Sequence, residues 1–199
     1  MLLRIRFHGR GGQGGKTASR ILGSAAFDEG LNVQDSPVYG AERRGAPVTA
    51  FTRISDGEIL ERGFIFDPDV VIVMDETLLE DPTASPLSGL REGGILFVNS
   101  SRKPDELNVN LDGVEVVTLN ITDMALELLG KPILSTASAA VAAKLISVVS
   151  ADAVTSAVRG ELGEGSLSPE AIQMNVALAG IFGNVDKPYI SVSACSIWS

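Results

Sequence analysis

The feature that most constrains the fold is the stretch His8-Gly9-Arg10-Gly11-Gly12-Gln13-Gly14-Gly15-Lys16, set between a strand pattern and a helix pattern. Before it, Leu3, Ile5 and Phe7 alternate with Arg4 and Arg6, the period of a strand with one apolar and one cationic face. After it, Ala18, Ile21, Leu22, Ala25 and Ala26 share one side of a helix, with Thr17 near its start and Gly30 suited to its end. Strand, glycine turn and helix in that order open an α/β sheet and aim backbone N–H groups at whatever lies beyond the strand. A strand covered on both faces should be apolar on both. The charged face of this one implies either a partly wet side or acidic groups supplied by a partner.

Further along, residues 31–34 read as a short strand. Val48, Ala50, Thr52 and Ile54 then alternate with Thr49, Phe51 and Arg53. Asp56-Gly57 predicts a tight hairpin into Ile59-Leu60, and hence an antiparallel pair in the sheet. Residues 70–74 and 95–98 are unbroken apolar runs, as in buried parallel strands, and 114–119 add a strand with Glu115 at an exposed pleat. Residues 122–129 form a helix closed by Gly130 and Pro132. Residues 137–149 are apolar on nearly every side except at Lys144, so that helix is buried within the domain or against a neighbouring chain. Ala153, Val154, Ala157 and Val158 mark a short helix closed by Gly160, and Ser168-Pro169-Glu170 open the last one. These elements predict a three-layer α/β/α Rossmann-like domain with a mixed, mostly parallel sheet over residues 1–189. The tail, 190–199, has no clear pattern.

Composition excludes several functions. With a net charge of −9, the chain lacks the clustered cations that a nucleic-acid surface needs, and Arg43-Arg44 and Arg102-Lys103 are only dipeptides. One cysteine, Cys195, and one histidine, His8, make neither a disulfide, an iron–sulfur site nor a histidine-based metal site. Met1-Leu2-Leu3 runs directly into Arg4 and Arg6 without a secretory signal, and no apolar run reaches the ~20 residues of a membrane span. The expected location is the cytoplasm, with no membrane partner.

Two loops carry the functional signal. Gly9, Gly11 and Gly14 fit G-x-G-x-x-G, and Asp35 stands 21 residues after Gly14, the spacing of a ribose-binding acid. Gly12 and Gly15 are extra to that pattern, and Arg10 and Gln13 add polar reach. Three readings stay open: a tight turn without a ligand, a site for a phosphate or carboxylate, and a dinucleotide site. The second loop is Tyr39-Gly40-Ala41-Glu42-Arg43-Arg44-Gly45, where Glu42 beside two arginines forms a local ion pair, a subunit contact or an anion site next to the glycine loop. No nucleophile constellation is present. Asp67, Asp69 and Asp75 read as turn caps, and Ser135, Thr136 and Ser138 as caps of the buried helix.

Taken together, Gly9-Arg10-Gly11-Gly12-Gln13-Gly14, Tyr39-Gly40-Ala41-Glu42-Arg43-Arg44-Gly45-Ala46-Pro47 and Phe51-Thr52-Arg53-Ile54-Ser55 resemble the gamma component of 2-oxoacid:ferredoxin oxidoreductases, the family of pyruvate:ferredoxin oxidoreductase (pyruvate synthase). Pro68-Asp69-Val70, Gly94-Ile95-Leu96-Phe97-Val98-Asn99-Ser100 and Asn175-Val176-Ala177-Leu178-Ala179-Gly180 extend the resemblance over most of residues 3–183. Two positions depart from it: Gly15-Lys16 stand where an aliphatic residue is usual, and Ser138-Ala139-Ala140 where a glycine is. The resemblance implies one part of a larger enzyme that decarboxylates a 2-oxoacid, passes electrons to ferredoxin and hands the acyl group to coenzyme A. It places thiamine diphosphate, Mg²⁺ and [4Fe–4S] clusters on partner subunits of alpha, beta and delta type, and implies no catalytic residue and no turnover in this chain alone. Gly9, Gly11, Gly12, Gln13 and Gly14, with Arg43 and Arg44, are then the candidate loop for an anion or a coenzyme A phosphate. Tyr39, Glu42, Arg43 and Arg44 are candidate partner contacts, and a homodimer is open for the isolated chain. The alternative is a stand-alone NAD(P)-binding domain.

Overall fold

The computed structural model describes residues 1–37, 44–109, 111–163 and 169–184. Its strands are β1 (Leu2–Arg10), β2 (Asn32–Pro37), β3 (Pro47–Ser55), β4 (Val70–Val73), β5 (Ile95–Asn99) and β6 (Glu115–Leu119). Its helices are α1 (Gly15–Asp28), α2 (Ile121–Leu129), α3 (Ser135–Ile146), α4 (Ala151–Gly163) and α5 (Pro169–Asn184). The strands form one six-stranded sheet in the order β2-β3-β1-β4-β5-β6. β3 runs antiparallel to both β1 and β2, while β1, β4, β5 and β6 pair in parallel. The sheet is mixed and mostly parallel, as the sequence predicts, but the reversed strand arises differently. No hairpin follows Asp56-Gly57. β3 is paired along both edges, from Leu2↔Ser55 to Arg10↔Pro47 with β1 and from Asn32↔Ser55 to Pro37↔Ala50 with β2, so Ile59-Leu60 find no open edge.

The helices follow their apolar patterns, with changes at their ends. α1 starts after Gly14, whose left-handed φ of 87° turns the chain in place of a Thr17 cap. A side chain could not stand there, since a Cβ on Gly14 would lie 2.9 Å from Ser135 Cβ. Asn120 caps α2, accepting from Asp123 N at 3.1 Å, and the helix ends at Gly130 as expected. α3 lacks the expected caps: Leu134 occupies the capping position, and Ser135, Thr136 and Ser138 are all buried. α3 packs between α1 and α5, and Thr136 spends its hydroxyl on Asn175 Oδ1 at 2.8 Å. The burial of α3 is thus within the chain. α4 continues past Gly160 to Gly163.

The pleat sends residues of opposite parity into two different environments. Leu3, Ile5 and Phe7 of β1, Ile72 of β4 and Phe97 of β5 form one core with residues from all five helices. Each such side chain contributes about 1.5–3 kcal/mol by leaving water. Val71, Val73, Leu96 and Val98 face the other way, under Leu78 and Leu107 from two short 3-10 turns, Glu76–Leu79 and Pro104–Glu106, and their loops. The layer on this second face is therefore thin and built of irregular backbone, where the expected α/β/α arrangement has helices.

The cationic face of β1 is neither wet nor left for a partner. Arg6, 6% exposed, donates to Ile65 O at 3.2 Å, Pro86 O at 2.8 Å and Ser88 O at 2.6 Å. Arg53 on β3 donates to Gly63 O at 3.0 Å and Phe64 O at 3.2 Å. Arg4 pairs with Glu61 and stands 3.7 Å from Asp69. The acids are the chain's own, and hydrogen bonds from Arg4 and then Arg53 hold Glu61 down to about 2. The loop that reaches Arg6 closes at Gly89, φ 72°, where a Cβ would sit 1.9 Å from Phe66 O. Gly89→Ala adds a left-handed non-glycine residue to a backbone clash and is expected to destabilise the fold by about 2 kcal/mol, a fall in Tm of roughly 5 °C. A thermal melt within 1 °C of wild type would contradict that packing.

Candidate functional site

In an open α/β sheet, the natural crevice lies beyond the carboxyl ends of the strands where successive connections leave in opposite directions. Here that point is between β1 and β4. The chain leaves β1 for α1 on the helical face, and leaves β4 for the 3-10 turn at Glu76 on the other. The glycine loop borders this crevice. Gly9 is buried at the end of β1, where a Cβ would lie 3.3 Å from Met74 Sδ and 3.4 Å from Gln13 Oε1.

The loop is ordered by its own side chains. Gln13 Oε1 accepts from Arg10 N at 2.7 Å, and Gln13 Nε2 donates to Asp75 Oδ2 at 3.0 Å across the crevice. Arg10 stands 3.3 Å from Asp75 Oδ2 and donates to Thr77 Oγ1 at 2.6 Å. Burial alone would raise Asp75. The hydrogen bonds from Thr77 and Gln13, with Arg10 nearby, override it and hold the carboxylate below its ordinary value. α1 has no side-chain cap at Gly14 and no acidic residue in its first turn, which also holds Lys16. Its N-terminal dipole is thus left to favour an anion.

The structure brings the two loops together. Gly11 N donates to Ala46 O at 2.8 Å and Gly45 N to Gly11 O at 3.0 Å, continuing the β1–β3 pairing beyond its last strand residues. Arg10 also donates to Gly45 O at 3.1 Å. Arg44, next to this junction, is exposed, as is Gly12. Tyr39, Glu42 and Arg43 lie outside the described residues.

Asp35 does not join them. It lies on β2, separated from β1 by the whole of β3, about 10 Å at the usual strand spacing. Its carboxylate accepts from Ser19 of α1, whose hydroxyl lies 3.0 Å from Thr52 Oγ1, and burial pushes Asp35 above the usual range. The dinucleotide reading thereby loses its ribose-binding acid.

Asp75, read from sequence only as a turn cap, does cap the Glu76 turn by accepting from Thr77 N at 3.1 Å, but it is also the far wall of the crevice. From the sequence, Asn99 has no role beyond its place in the run from Gly94 to Ser100. Its side chain donates to Met74 O and Thr122 Oγ1, both at 2.8 Å, and accepts from Ile121 N at 2.9 Å, tying together the ends of β4, β5 and β6. Ser100 and Arg102 both reach Glu76 beside it. The available signal was position: Asp75 and Asn99 each directly follow an apolar run, 70–74 and 95–98, at the sheet's functional end. Among the described residues, no cluster of His, Cys, Asp or Glu is placed to hold a metal ion.

The profile of the family Pyruvate ferredoxin/flavodoxin oxidoreductase matches residues 4–180. The chain belongs to that family. Within it, the chain is of the gamma type: it is 46% identical over 169 residues to the Pyruvate/ketoisovalerate oxidoreductases common subunit gamma of Thermococcus kodakarensis, covering 82% of this chain and 90% of that one. The crystal structure of pyruvate oxidoreductase subunit PORC from Thermotoga maritima is similar at 32% identity and a TM-score of 0.76, over 91% of this chain and 94% of that one. The fold also occurs in the 2-oxoglutarate:ferredoxin oxidoreductase of Magnetococcus marinus, at 19% identity and a TM-score of 0.69. There it spans 91% of this chain but 30% of that one. No helix among the described residues is long and apolar enough to cross a membrane.

Proposed function

We propose that this gamma-type chain is a non-catalytic component of a 2-oxoacid:ferredoxin oxidoreductase with pyruvate as its 2-oxoacid. It would support coenzyme A-dependent oxidative decarboxylation in a complex with alpha-, beta- and delta-type subunits. Thiamine diphosphate, Mg²⁺ and the [4Fe–4S] clusters would be bound by those subunits, which also pass electrons to ferredoxin. The observation that carries this reading is the 46% identity with the T. kodakarensis subunit, in an alignment that covers 90% of its length. The chemistry of the crevice agrees with it. Asp75, Arg10, Gln13 and Thr77 satisfy one another, which leaves none of them as a poised base or nucleophile. A single cysteine cannot hold a cluster.

Within the complex, the uncapped start of α1, the exposed Gly12 and Arg44 beside the Gly11–Gly45 junction suit a phosphate of coenzyme A. Arg43 is a further candidate for that phosphate, and Tyr39, Glu42, Arg43 and Arg44 are candidates for contacts with another subunit. The test is reconstitution with pyruvate and an electron acceptor. The chain alone should give no turnover, and adding it to the other subunits should restore activity. In the restored enzyme, Arg44→Ala should raise the KM for coenzyme A about tenfold, one charged contact's worth, with the KM for pyruvate unchanged. Turnover by the isolated chain would refute the component role, and equal effects on both substrates would refute the phosphate site.

A further inference from the structure

We infer that Gln13 is a positioning residue for the proposed coenzyme A phosphate site, its side chain clasping the glycine loop to Asp75 across the crevice so that the loop's N–H groups are set before the ligand arrives. The inference rests on the phosphate reading above. Ordering glycines on binding costs more backbone entropy than ordering other residues, so a glycine loop gains most from being held in advance. Gly12 and Gly14 have φ of 98° and 87°, a region that few other residues enter. Among the described residues, the N–H groups of both have no acceptor.

Holding this loop falls to Gln13. β1 and β4 pair only as far as His8↔Val73, which leaves Arg10 beyond the end of that ladder. Gln13 takes both backbone groups of Arg10: its N donates to Arg10 O at 3.0 Å, and its Oε1 accepts from Arg10 N at 2.7 Å. The turn from Arg10 to Gln13 is thereby closed twice. The Nε2 then donates to Asp75 Oδ2 at 3.0 Å. Asp75 is itself fixed by the N and Oγ1 of Thr77 and by Arg10, so the loop is tied to a firm point on the opposite wall.

Gly9 is part of the same device. A Cβ there would lie 3.4 Å from Gln13 Oε1 and 3.3 Å from Met74 Sδ, so the first glycine of the motif leaves room for this glutamine. The clasp needs one acceptor and one donor at the end of a single long side chain, which glutamine supplies. A glutamate would set a second carboxylate against Asp75, and a lysine would offer no acceptor to Arg10 N. Both polar atoms of Gln13 are engaged within the protein, so it acts through the loop and does not itself hold the phosphate.

The test uses the reconstituted oxidoreductase, with kcat and the KM values for coenzyme A and pyruvate measured for each variant. Gln13→Leu removes both side-chain bonds without adding a charge. With the loop in its clasped shape for about a tenth of the time, the KM for coenzyme A rises about tenfold. The KM for pyruvate, and kcat at saturating coenzyme A, should stay within about twofold of wild type. Asp75→Ala breaks the clasp from the other wall and should act alike. The double variant should be no worse than either single one, because the shared contact is lost only once. Asp75→Asn keeps an oxygen for Gln13 and should not raise the KM for coenzyme A; a rise would overturn the clasp. A wild-type KM for coenzyme A in Gln13→Leu, beside the expected rise in Arg44→Ala, overturns the clasp and leaves the phosphate reading standing. Wild-type values in both variants overturn both. Single effects that multiply to about a hundredfold in the double variant overturn the link between Gln13 and Asp75. A rise in both Michaelis constants, or loss of this chain from the purified complex, makes the role of Gln13 purely structural and overturns the proposal.

Discussion

Arg6→Met is expected to destabilise the fold by about 3–5 kcal/mol, three lost carbonyl hydrogen bonds less the desolvation that the charge no longer costs. Among the described residues the guanidinium has no carboxylate partner; three carbonyls, of Ile65, Pro86 and Ser88, share it instead. Burial pushes the group down to about 10, still charged at neutral pH. Methionine keeps much of the apolar stem but takes the donor from three carbonyls, buried at Ile65 and Pro86 and partly buried at Ser88. Each unmade bond there costs about 1–3 kcal/mol, partly offset because a buried charge is also removed. The loss should appear as a lower urea midpoint and a Tm roughly 10 °C lower. Arg6→Lys should fall between the two, since one ammonium cannot span three acceptors on two segments. An Arg6→Met variant within 0.5 kcal/mol of wild type would mean that residues 59–66 are held by other contacts.

The second large effect is a dependence on acid. His8 is 4% exposed on the same face of β1, and burial, reinforced by the Arg6 charge, pushes its imidazole down to about 3. In the unfolded chain the same group takes up a proton near pH 6.5. Below that pH the unfolded state binds a proton that the folded state refuses, so stability falls as pH drops from about 6.5 toward 3. Between pH 7 and pH 5 the loss from this one group is about 2 kcal/mol, and by pH 3 it approaches about 4 kcal/mol. His8→Gln should remove that slope, so the wild-type and variant urea midpoints should diverge between pH 7 and pH 5. The chain's only histidine also gives a direct readout. Its imidazole resonances in the folded protein should not titrate between pH 7 and pH 5, and a midpoint near 6.5 would refute the burial.

The sequence resolves those parts of the molecule where one side chain's environment follows from local period. α1 is legible from Ala18 to Ala26, the α2 terminus from Gly130, and β4 and β5 from their unbroken apolar runs, because both faces of those strands are covered. The charged face of β1 is not legible. What covers it, residues 59–66 and 86–88, has no periodicity of its own, and its backbone bonds run to side chains of distant strands. The dinucleotide reading loses Asp35 for a topological reason. The spacing from Gly14 to Asp35 is the same whether β2 lies beside β1 or one strand further out, and only the return of β3 between them decides. The site is half legible. Both loops announce themselves through glycine and arginine, but their joining at Gly11 and Gly45 and the span from Gln13 to Asp75 are products of the assembled sheet.

The uneven layering has a consequence for how the molecule loosens. With every described α-helix on one side, regular backbone bonding and the larger apolar core protect that side against partial opening. The opposite side depends on a few long-reach guanidinium anchors over a smaller cluster, so it should form the lower-energy opening unit of the fold. Brief release of that irregular cover would free residues 59–66 while the parallel strands and their crevice keep their native pairing.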